Sequence, residues 1–200
     1  MARYTGPKNK LSRREGIDIF ETGSPSLMRR LNVPPGGRTR SRRKESEYAR
    51  QLREKQRARR IFGVLEKQFV RYFKEAARVA GRTPETLLTL LERRLDNVVY
   101  RLGFARTRPM ARQLVTHGHV LVDGKKVDIP SYRVSPGETI SLTQTAAEIP
   151  AVQERMEETR GLVPAWLERK DTTGRVVRLP TLEEMERRLD LGLIVEYYSR

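Results

Sequence analysis

Apolar residues recur at helical spacing just after Arg93, which predicts a helix with one buried face. The residues of that face are Leu95, Val98, Val99 and Leu102. Gly103 ends this helix, and a second one follows, with Thr107 as its N-terminal cap and Pro109 in its first turn. Gly118 follows the last turn. The pattern therefore predicts two short consecutive helices.

The pattern changes to strands after the second helix. Val120–Val122 and Lys125–Val127 flank Asp123-Gly124, a dipeptide that is typical of a two-residue hairpin. Farther along, Asp171–Gly174 predicts a turn between two short strands. The other elements expected near the C-terminus are strands at Trp166–Lys170 and Arg175–Leu179, helices at Gln153–Thr159 and Thr181–Leu191, and an apolar end segment at Leu193–Tyr198.

Helical spacing also appears earlier, from about Ser46 to Val79. The apolar stripe of this run is Tyr48, Leu52, Ile61, Leu65, Phe69 and Phe73. Cations crowd its other sides at Arg50, Arg53, Lys55, Arg57, Arg59, Arg60, Lys67, Arg71 and Lys74. Gly81 ends the run, and a helix beginning at Thr83-Pro84-Glu85 is expected to bury Leu87, Leu88, Leu90 and Leu91.

Residues 1–45 have a different character. Glycine and proline recur throughout, and apolar residues are too sparse to form a core. This composition predicts an extended segment, with one short helical turn at Ser12–Glu15. The densest charge of the chain, from Arg38 to Lys44, lies near the end of this segment. Adjacent cations repel one another, which favours an RNA partner over a solvated loop.

The composition of the 200 residues limits the possible functions. No apolar run approaches the roughly 20 residues that a membrane-spanning helix needs, and the basic N-terminus lacks the apolar core of a signal peptide. Cysteine is absent, which excludes disulfides and cysteine-ligated metals. We therefore expect a cytoplasmic protein with no membrane partner.

Positive charge is the strongest compositional signal, because 41 basic residues against 25 acidic ones give a net charge of +16. Residues 1–60 contain 18 basic and 6 acidic residues, a net charge of +12, whereas residues 151–200 have a net charge of −1. Arginine outnumbers lysine by 32 to 9, and guanidinium groups bind phosphate in a bidentate manner. A GC-rich genome would also produce the arginine excess, but not the net charge. The N-terminal third is thus expected to face a polyanion.

The sequence contains few residues that could support catalysis or bind a metal. His117 and His119 lack cysteine or nearby carboxylate partners and make a poor zinc site, so no metal and no cofactor are expected. Neither a glycine-rich phosphate loop nor a nucleophile–base pair is evident, so no small-molecule substrate is expected. Trp166, Tyr197 and Tyr198 lie where positive charge is not in excess, which favours a core or a protein interface over base stacking.

Residues 93–140 resemble the small RNA-binding module named after small ribosomal subunit protein four. The resemblance extends to MARYTGPKNKLSRREGID at the start of the chain, QLREKQRARRIFGVLEKQF in the middle and LIVEYYSR at the end. Together these motifs are similar to the bacterial family of that ribosomal protein, in a version without the zinc-binding cysteines of many relatives. Several motifs in order are more specific than the module alone, which many RNA enzymes also carry.

The resemblance implies an α+β fold in separate parts. These are an extended basic N-terminal segment at 1–45, a helical domain at 46–92, and an inserted α/β domain at 93–173 whose RNA-binding core is 93–140. It also implies that the C-terminal tail at 174–200 joins the helical domain in space.

The resemblance further implies a structural role in the small ribosomal subunit. Family members bind the 5′ domain of small-subunit ribosomal RNA early, at a multi-helix junction, and so nucleate assembly. The candidate RNA-binding residues are Arg3, Lys8, Lys10, Arg13, Arg14, Arg38, Arg40, Arg42, Arg43, Lys44, Arg50, Arg53, Lys55, Arg57, Arg60, Arg101, Arg106, Arg108, Arg112, Lys125 and Lys126. The module residues in this set are expected to be displayed at its surface.

Other partners follow from the same resemblance. Arg40, Arg42, Arg43 and Lys44 match positions near the entry site of messenger RNA, so a contribution to messenger RNA entry is implied. Small-subunit proteins five and three are the implied protein neighbours, and the contact with protein five influences decoding accuracy in the family.

Two rival classes remain. Pseudouridine synthases often carry the same module and use an aspartate in a triplet like Arg94-Leu95-Asp96, but the roughly 50 residues after the module are too few for a catalytic domain. Asp96 is instead expected to pair with a nearby arginine, such as Arg93 or Arg101. A general nucleic-acid-binding or chaperone protein would share the charge but would not need the long N-terminal extension.

Overall fold

The computed structural model describes residues 3–36, 46–79, 81–159 and 161–199. The chain forms two compact units, one of Met1–Pro84 with Arg188–Arg200 and the other of Glu85–Arg187. The basic run Arg38–Lys44 lies outside the described residues. Among the helices that are described, none is long and apolar enough to cross a membrane.

The first unit is helical. With helices and strands numbered in chain order, its elements are α1 (Lys8–Glu15), α2 (Pro25–Met28), α3 (Glu47–Ile61), α4 (Glu66–Ala76) and α10 (Leu191–Tyr198). Helix α10 packs on α3, so the C-terminal residues complete a core that begins near the N-terminus. The buried apolar side chains of this core include Ile19, Leu27, Ile61, Phe69, Tyr72 and Ile194.

The N-terminal segment contains more helix than the sequence predicts. The expected single turn at Ser12–Glu15 is the second half of α1, which ends where Gly16 adopts a φ of 71°. Leu27 of α2 is 1% exposed and Ile19 is equally buried, so a few apolar residues are enough to anchor this segment.

The run predicted from Ser46 to Val79 is two helices rather than one. Ser46 caps α3 by accepting a hydrogen bond from the amide of Ala49, and α4 begins only at Glu66. Between them Gly63 adopts a φ of 62°, a conformation that interrupts a helix. The predicted apolar stripe is therefore wrong in part, because Tyr48 is 50% exposed and Leu65 is 39% exposed.

The second unit is an antiparallel sheet with helices. Its helices are α5 (Thr83–Glu92, from Glu85 on), α6 (Leu95–Arg101), α7 (Arg108–Thr116), α8 (Gln144–Ala147) and α9 (Pro150–Glu158). Its strands are β1 (Val120–Val122), β2 (Lys125–Lys126), β3 (Thr139–Leu142), β4 (Leu167–Lys170) and β5 (Thr173–Val176), in the order β2-β1-β3-β5-β4. The α+β fold class is thereby confirmed.

The elements with strong local signals form as predicted. The four apolar residues of the α6 stripe are completely buried, and the four leucines of α5 are at most 7% exposed. Thr107 caps α7 by accepting a hydrogen bond from the amide of Met110 at 3.3 Å. Asp123 and Gly124 both have a positive φ, 47° and 76°, as a tight hairpin between β1 and β2 requires.

The C-terminal third departs from the sequence prediction. The turn between β4 and β5 is only Asp171-Thr172, because Thr173 and Gly174 already pair with Lys170 and Arg169 in the sheet. The predicted helix Thr181–Leu191 is wrong, since that stretch contains one short 3-10 turn, Leu182–Glu184. The apolar end segment is helix α10.

The boundaries of the compact units also differ from the predicted domains. Helix α5 falls with the second unit from Glu85 on, and β5 shares a sheet with β3 and β4. Only residues 188–200 of the predicted tail belong to the first unit.

Candidate RNA-binding surface

The exposed candidate cations of the first unit lie on α1, on α3 and before α1. The exposed members of the candidate set are Arg3, Lys8, Lys10, Arg14, Arg50 and Arg53. Arg53 Nη1 donates a hydrogen bond of 3.3 Å to the carbonyl of Arg14, so α3 and the end of α1 present these cations together. Such an arrangement suits phosphate groups, which need positive charge but no particular side-chain geometry.

Other candidate cations of the first unit are engaged inside it. Arg60 pairs with Glu15, whose side chain is completely buried, and its own side chain is 13% exposed. Burial raises the pKa of the Glu15 carboxyl, although Arg60 opposes this, and burial lowers the pKa of Arg60. Arg13 donates to the carbonyls of Val33 and Pro34 at 2.9 and 3.1 Å, which ties α1 to a later part of the segment.

Lys55 is the clearest departure from the expected RNA-facing set in this unit. It is 4% exposed, and its ammonium lies 2.8 Å from Glu66 Oε1 and 4.6 Å from the centroid of the Tyr197 ring. The Tyr198 hydroxyl donates to the same Glu66 oxygen at 2.9 Å. Burial and this bond raise the pKa of Tyr198, and despite burial the two donors lower the pKa of Glu66. Lys55 thus holds α3, α4 and α10 together.

Two more arginines of α3 form ion pairs with carboxylates. Arg57 Nη1 lies 2.9 Å from Glu54 Oε2, and Arg59 Nη1 lies 3.1 Å from Glu66 Oε2. Glu54 additionally accepts a hydrogen bond from the amide of Asp190 at 3.0 Å. The six cations between Arg50 and Arg60 are therefore divided between surface and interior.

In the second unit the expectation that the module displays its arginines is wrong for two of them. Arg108 is 8% exposed and Arg112 is 7% exposed. Arg108 donates to Asn97 Oδ1 at 2.8 Å and to Glu186 Oε2 at 2.9 Å. Its guanidinium also lies 4.5 Å from the centroid of the Tyr100 ring. The helical pattern gave no sign of these partners, because Glu186 is 78 residues away in sequence.

Asp96 lies in a buried cluster with Arg94 and Arg112. Its carboxylate accepts two hydrogen bonds from Arg94, at 3.0 and 2.7 Å, and lies 3.6 Å from Arg112 Nη1. Asp96 thus pairs with nearby arginines, as expected, but these are Arg94 and Arg112 and not the two named examples, Arg93 and Arg101. Arg93 instead donates to the carbonyl of Val134 at 2.9 Å, where the chain forms a bridge beside α6.

Arg101 is paired with Glu92 rather than presented freely. Its Nη2 lies 2.7 Å from Glu92 Oε1, and its side chain is 19% exposed. Although burial opposes the effect, the Glu92 carboxylate raises the pKa of Arg101.

Three candidate cations of the second unit remain exposed. Arg106 precedes α7, and Lys125 and Lys126 form strand β2 at one edge of the sheet. The Lys126 side chain passes directly over Gly118, where an added Cβ would lie 2.0 Å from its Cε. This places a cation at the C-terminal end of α7, where the helix dipole favours it.

His117 and His119 lie in the same region, with ring centroids 6.2 Å apart. Within the described ranges, no group of three or more histidine or carboxylate side chains could hold a metal ion.

Exposed cations also occur outside the candidate set. Lys67, Arg71 and Lys74 on α4, and Arg78 just after it, are all exposed. Their regular spacing in the sequence is the signal that could have identified them.

Comparison with known proteins identifies the family of the chain. Residues 3–92 match the family model described as "Ribosomal protein S4/S9 N-terminal domain", and residues 93–140 match the "S4 domain", an RNA-binding module. These two matches define the class, a ribosomal protein with an RNA-binding module.

Curated relatives match along the whole chain. Proteins named small ribosomal subunit protein uS4 are 51% identical in Natranaerobius thermophilus, 53% identical in a Nocardioides species and 51% identical in Persephonella marina, each with 100% of both chains covered. The chain belongs to the uS4 family of ribosomal proteins. This family is structural and not enzymatic, which rules out the RNA-modifying enzyme considered above.

Proposed function

We propose that this chain is a structural constituent of the small ribosomal subunit and a primary binder of the 5′ domain of its RNA. The observation that supports this most strongly is the full-length similarity to uS4 proteins at about half identity. The exposed cations of α1, α3 and the β1–β2 hairpin supply the chemistry, because each can neutralise a phosphate. The place of action is then the cytoplasm, in the assembled subunit.

The proposed mechanism is stabilisation of one RNA fold. RNA helices that meet at a junction repel one another, and cations on a rigid scaffold let them approach. The interior pairs of Lys55, Arg60, Arg108 and Arg112 keep the helices that carry the exposed cations in place. Binding therefore favours one junction geometry, and proteins that bind later find a preformed site.

We also propose two finer roles. The basic residues Arg38, Arg40, Arg42, Arg43 and Lys44 would contact RNA, the last four near the messenger RNA entry site. Small-subunit proteins five and three would be protein neighbours, and through the contact with protein five this chain contributes to decoding fidelity. Residues 151–200, with a net charge of −1, suit protein contacts better than RNA contacts.

Competition binding tests the proposal. The full chain is titrated with the 5′-domain fragment of small-subunit ribosomal RNA and with an unrelated folded RNA of equal length, at several salt concentrations. We expect a preference for the 5′-domain fragment that persists as salt rises, because recognition of shape adds to charge. Equal binding to both RNAs, lost together as salt rises, would contradict the proposal and favour a general nucleic-acid-binding protein.

A matched pair of variants separates surface contacts from internal pairs. Arg50→Gln is expected to reduce the slope of log affinity against log salt by about 0.7–0.9, the value for one phosphate contact, with unchanged protein stability. Arg112→Gln is expected to lower stability and to leave that slope nearly unchanged, because Arg112 is buried beside Asp96. If Arg112→Gln reduced the salt slope and Arg50→Gln lowered the stability, the division into surface and interior cations would be wrong.

A further inference from the structure

Helix α4 and the turn after it carry a row of exposed basic residues, which we call the α4 stripe: Lys67, Arg71, Lys74 and Arg78. The three on the helix are spaced four and three residues apart, so at 3.6 residues per turn they fall within about 60° of one another. At a rise of 1.5 Å per residue the stripe extends over roughly 16 Å. It is thus a line of positive charge and not a scattered set.

The opposite face of α4 determines how the stripe is presented. Phe69 and Tyr72 are at most 1% exposed, and the Phe73 ring stacks on Tyr198 of α10 with centroids 4.4 Å apart. Glu66, in the first turn, is engaged by Lys55 and Tyr198. Because this apolar face is fixed in the first unit, the stripe is held on the outside of it.

Four cations of the stripe face a single carboxylate of the same part of the helix, Glu75. None of its four side chains forms a hydrogen bond or an ion pair with a described residue. By contrast, Arg57, Arg59 and Arg60 of α3 all contact carboxylates. Like charges three or four residues apart on a helix repel one another, so an anionic partner would relieve this repulsion.

We propose that the α4 stripe is a binding surface for the phosphate backbone of RNA, in addition to the exposed candidate residues of α1, α3 and the hairpin. Lysine and arginine at regular intervals suit a run of phosphates, and such contacts fix position without reading base sequence. This inference rests on the RNA-binding part of the proposed function.

The test compares two variants with the same loss of four charges. In the stripe variant Lys67, Arg71, Lys74 and Arg78 are each replaced by glutamine, which is also a good helix former. In the control variant Lys170, Arg175, Arg178 and Arg187, all exposed and outside the proposed surfaces, are replaced by glutamine. Affinity of the full chains for the 5′-domain fragment and for the unrelated RNA is measured across salt concentrations, with circular dichroism to compare folding.

If the stripe binds phosphates, its variant loses about ten- to a hundredfold in affinity near 0.1 M salt, and its salt slope falls by about 3. The control is expected to lose less than about fivefold, with a slope change below about 1. A stripe variant that matches the control, or that binds RNA as tightly as the unaltered chain, overturns the inference and leaves an acidic protein as the alternative partner.

Failure of the proposed function is visible separately, in the unaltered chain. If that chain binds both RNAs equally, the ribosomal proposal fails. The inference about the stripe is then tested by comparing the affinities of the stripe and control variants for the unrelated RNA. If the unaltered chain prefers the 5′-domain fragment and the stripe variant does so undiminished, only the inference about the stripe fails.

A second measurement does not depend on the fourfold variant being folded. The chain contains no cysteine, so Lys74→Cys creates a unique attachment point for a reagent that generates hydroxyl radicals. In the complex with the 5′-domain fragment, we expect strand cleavage confined to a few nucleotides, above the level from Arg175→Cys. Absence of cleavage from position 74 overturns the inference.

Discussion

At the residue scale, carboxylates decide which cations of this chain reach the surface. Glu15, Glu66, Glu92 and Asp96 each hold at least one lysine or arginine, and three of these carboxylates are buried. A buried cation that loses its partner is left uncompensated in a poorly polarisable environment, which is costly. The internal pairs therefore matter for stability even where an exposed pair would not.

Asp96→Asn tests this in the second unit. The substitution keeps the shape of the side chain but leaves the Arg94 guanidinium, 1% exposed, without its charged partner. We expect a loss of about 3–5 kcal/mol in the free energy of unfolding. Urea unfolding followed by the fluorescence of Trp166, which is 1% exposed in the same unit, measures it.

The exposed carboxylate Asp128 provides the control, and Asp128→Asn is expected to change stability by no more than about 0.5 kcal/mol. Equal effects of the two substitutions would show that the buried pair contributes nothing special.

The lowered pKa of Glu184 predicts how the stability of the protein depends on pH. Hydrogen bonds from Arg178 and from Thr181 hold the pKa of this carboxyl at about 2, against an ordinary value of 4.5. Because the folded value lies below the unfolded one, the stabilising effect is present above pH 4.5 and is lost as the pH falls toward 2. A carboxyl-detected NMR titration measures it. In Arg178→Gln the pKa is expected to move back toward 4.5, and a pKa still near 2 would assign the effect to Thr181 alone.

At the element scale, close packing between α6 and the sheet depends on a glycine. A Cβ added at Gly174 of β5 would lie 2.5 Å from Leu102 Cδ2 and 2.6 Å from Cδ1, and Leu102 is completely buried. Any side chain at this position must displace α6 or force Leu102 out of its rotamer.

Gly174→Ala is therefore expected to cost about 1–3 kcal/mol of stability through overpacking. Leu102→Ala alone is expected to cost about 2–5 kcal/mol because it leaves a cavity. Since the new methyl group would partly fill that cavity, the double variant should be more stable than the sum of the two losses predicts. Chemical denaturation of the three variants measures the coupling, and strict additivity would show that the two side chains do not compete for space.

The elements that sequence analysis predicted well are those defined by local signals. The Thr107 cap, the Asp123-Gly124 turn and the stripe of α6 each depend on residues a few positions apart. The break at Gly63 was missed because apolar residues continue at helical spacing across it. The helix predicted at Thr181–Leu191 is absent although its composition favours one, because Met185 and Glu186 are buried in the second unit in an extended stretch.

The candidate RNA-binding surface was also predictable only where local sequence decides the exposure of a cation. Sequence shows how many cations a segment carries, and the exposed positions Arg50, Lys125 and Lys126 were identified in this way. It does not show which distant carboxylate a cation meets. Glu186 meets Arg108 from 78 positions away, so Arg108 was wrongly expected at the surface. Glu15 meets Arg60 from 45 positions away, and the Arg60 side chain is left only 13% exposed.

At the scale of the whole molecule, a net charge of +16 acts on the free protein as well as on its RNA partner. Exposed like charges repel one another and disfavour a compact state, whereas the buried pairs are screened much less by salt. Moderate salt is therefore expected to affect the free and the bound protein in opposite ways.

We expect the unfolding temperature of the free chain to rise between about 0.02 and 0.2 M sodium chloride, as screening shortens the range of repulsion. Over the same range the complex with RNA should weaken, because releasing counterions into a more concentrated salt solution contributes less free energy to binding. Differential scanning calorimetry and binding titrations measure the two trends. A free protein that is destabilised by salt would show that attractive surface pairs outweigh the repulsion.

The packing of α10 on α3 has a consequence for the order in which the chain can fold during its synthesis. Residues 85–187 form a continuous unit and can fold once they have left the exit tunnel. The first unit has its earliest residues outside the ribosome long before it is complete, because α10 and Arg188, which pairs with Glu21, are translated after the whole second unit. Until α10 has been synthesised, the aromatic face of Phe69 and Phe73 lacks its partner Tyr198. The nascent chain thus exposes an apolar surface while the second unit is being translated, and it is there that a chaperone would bind.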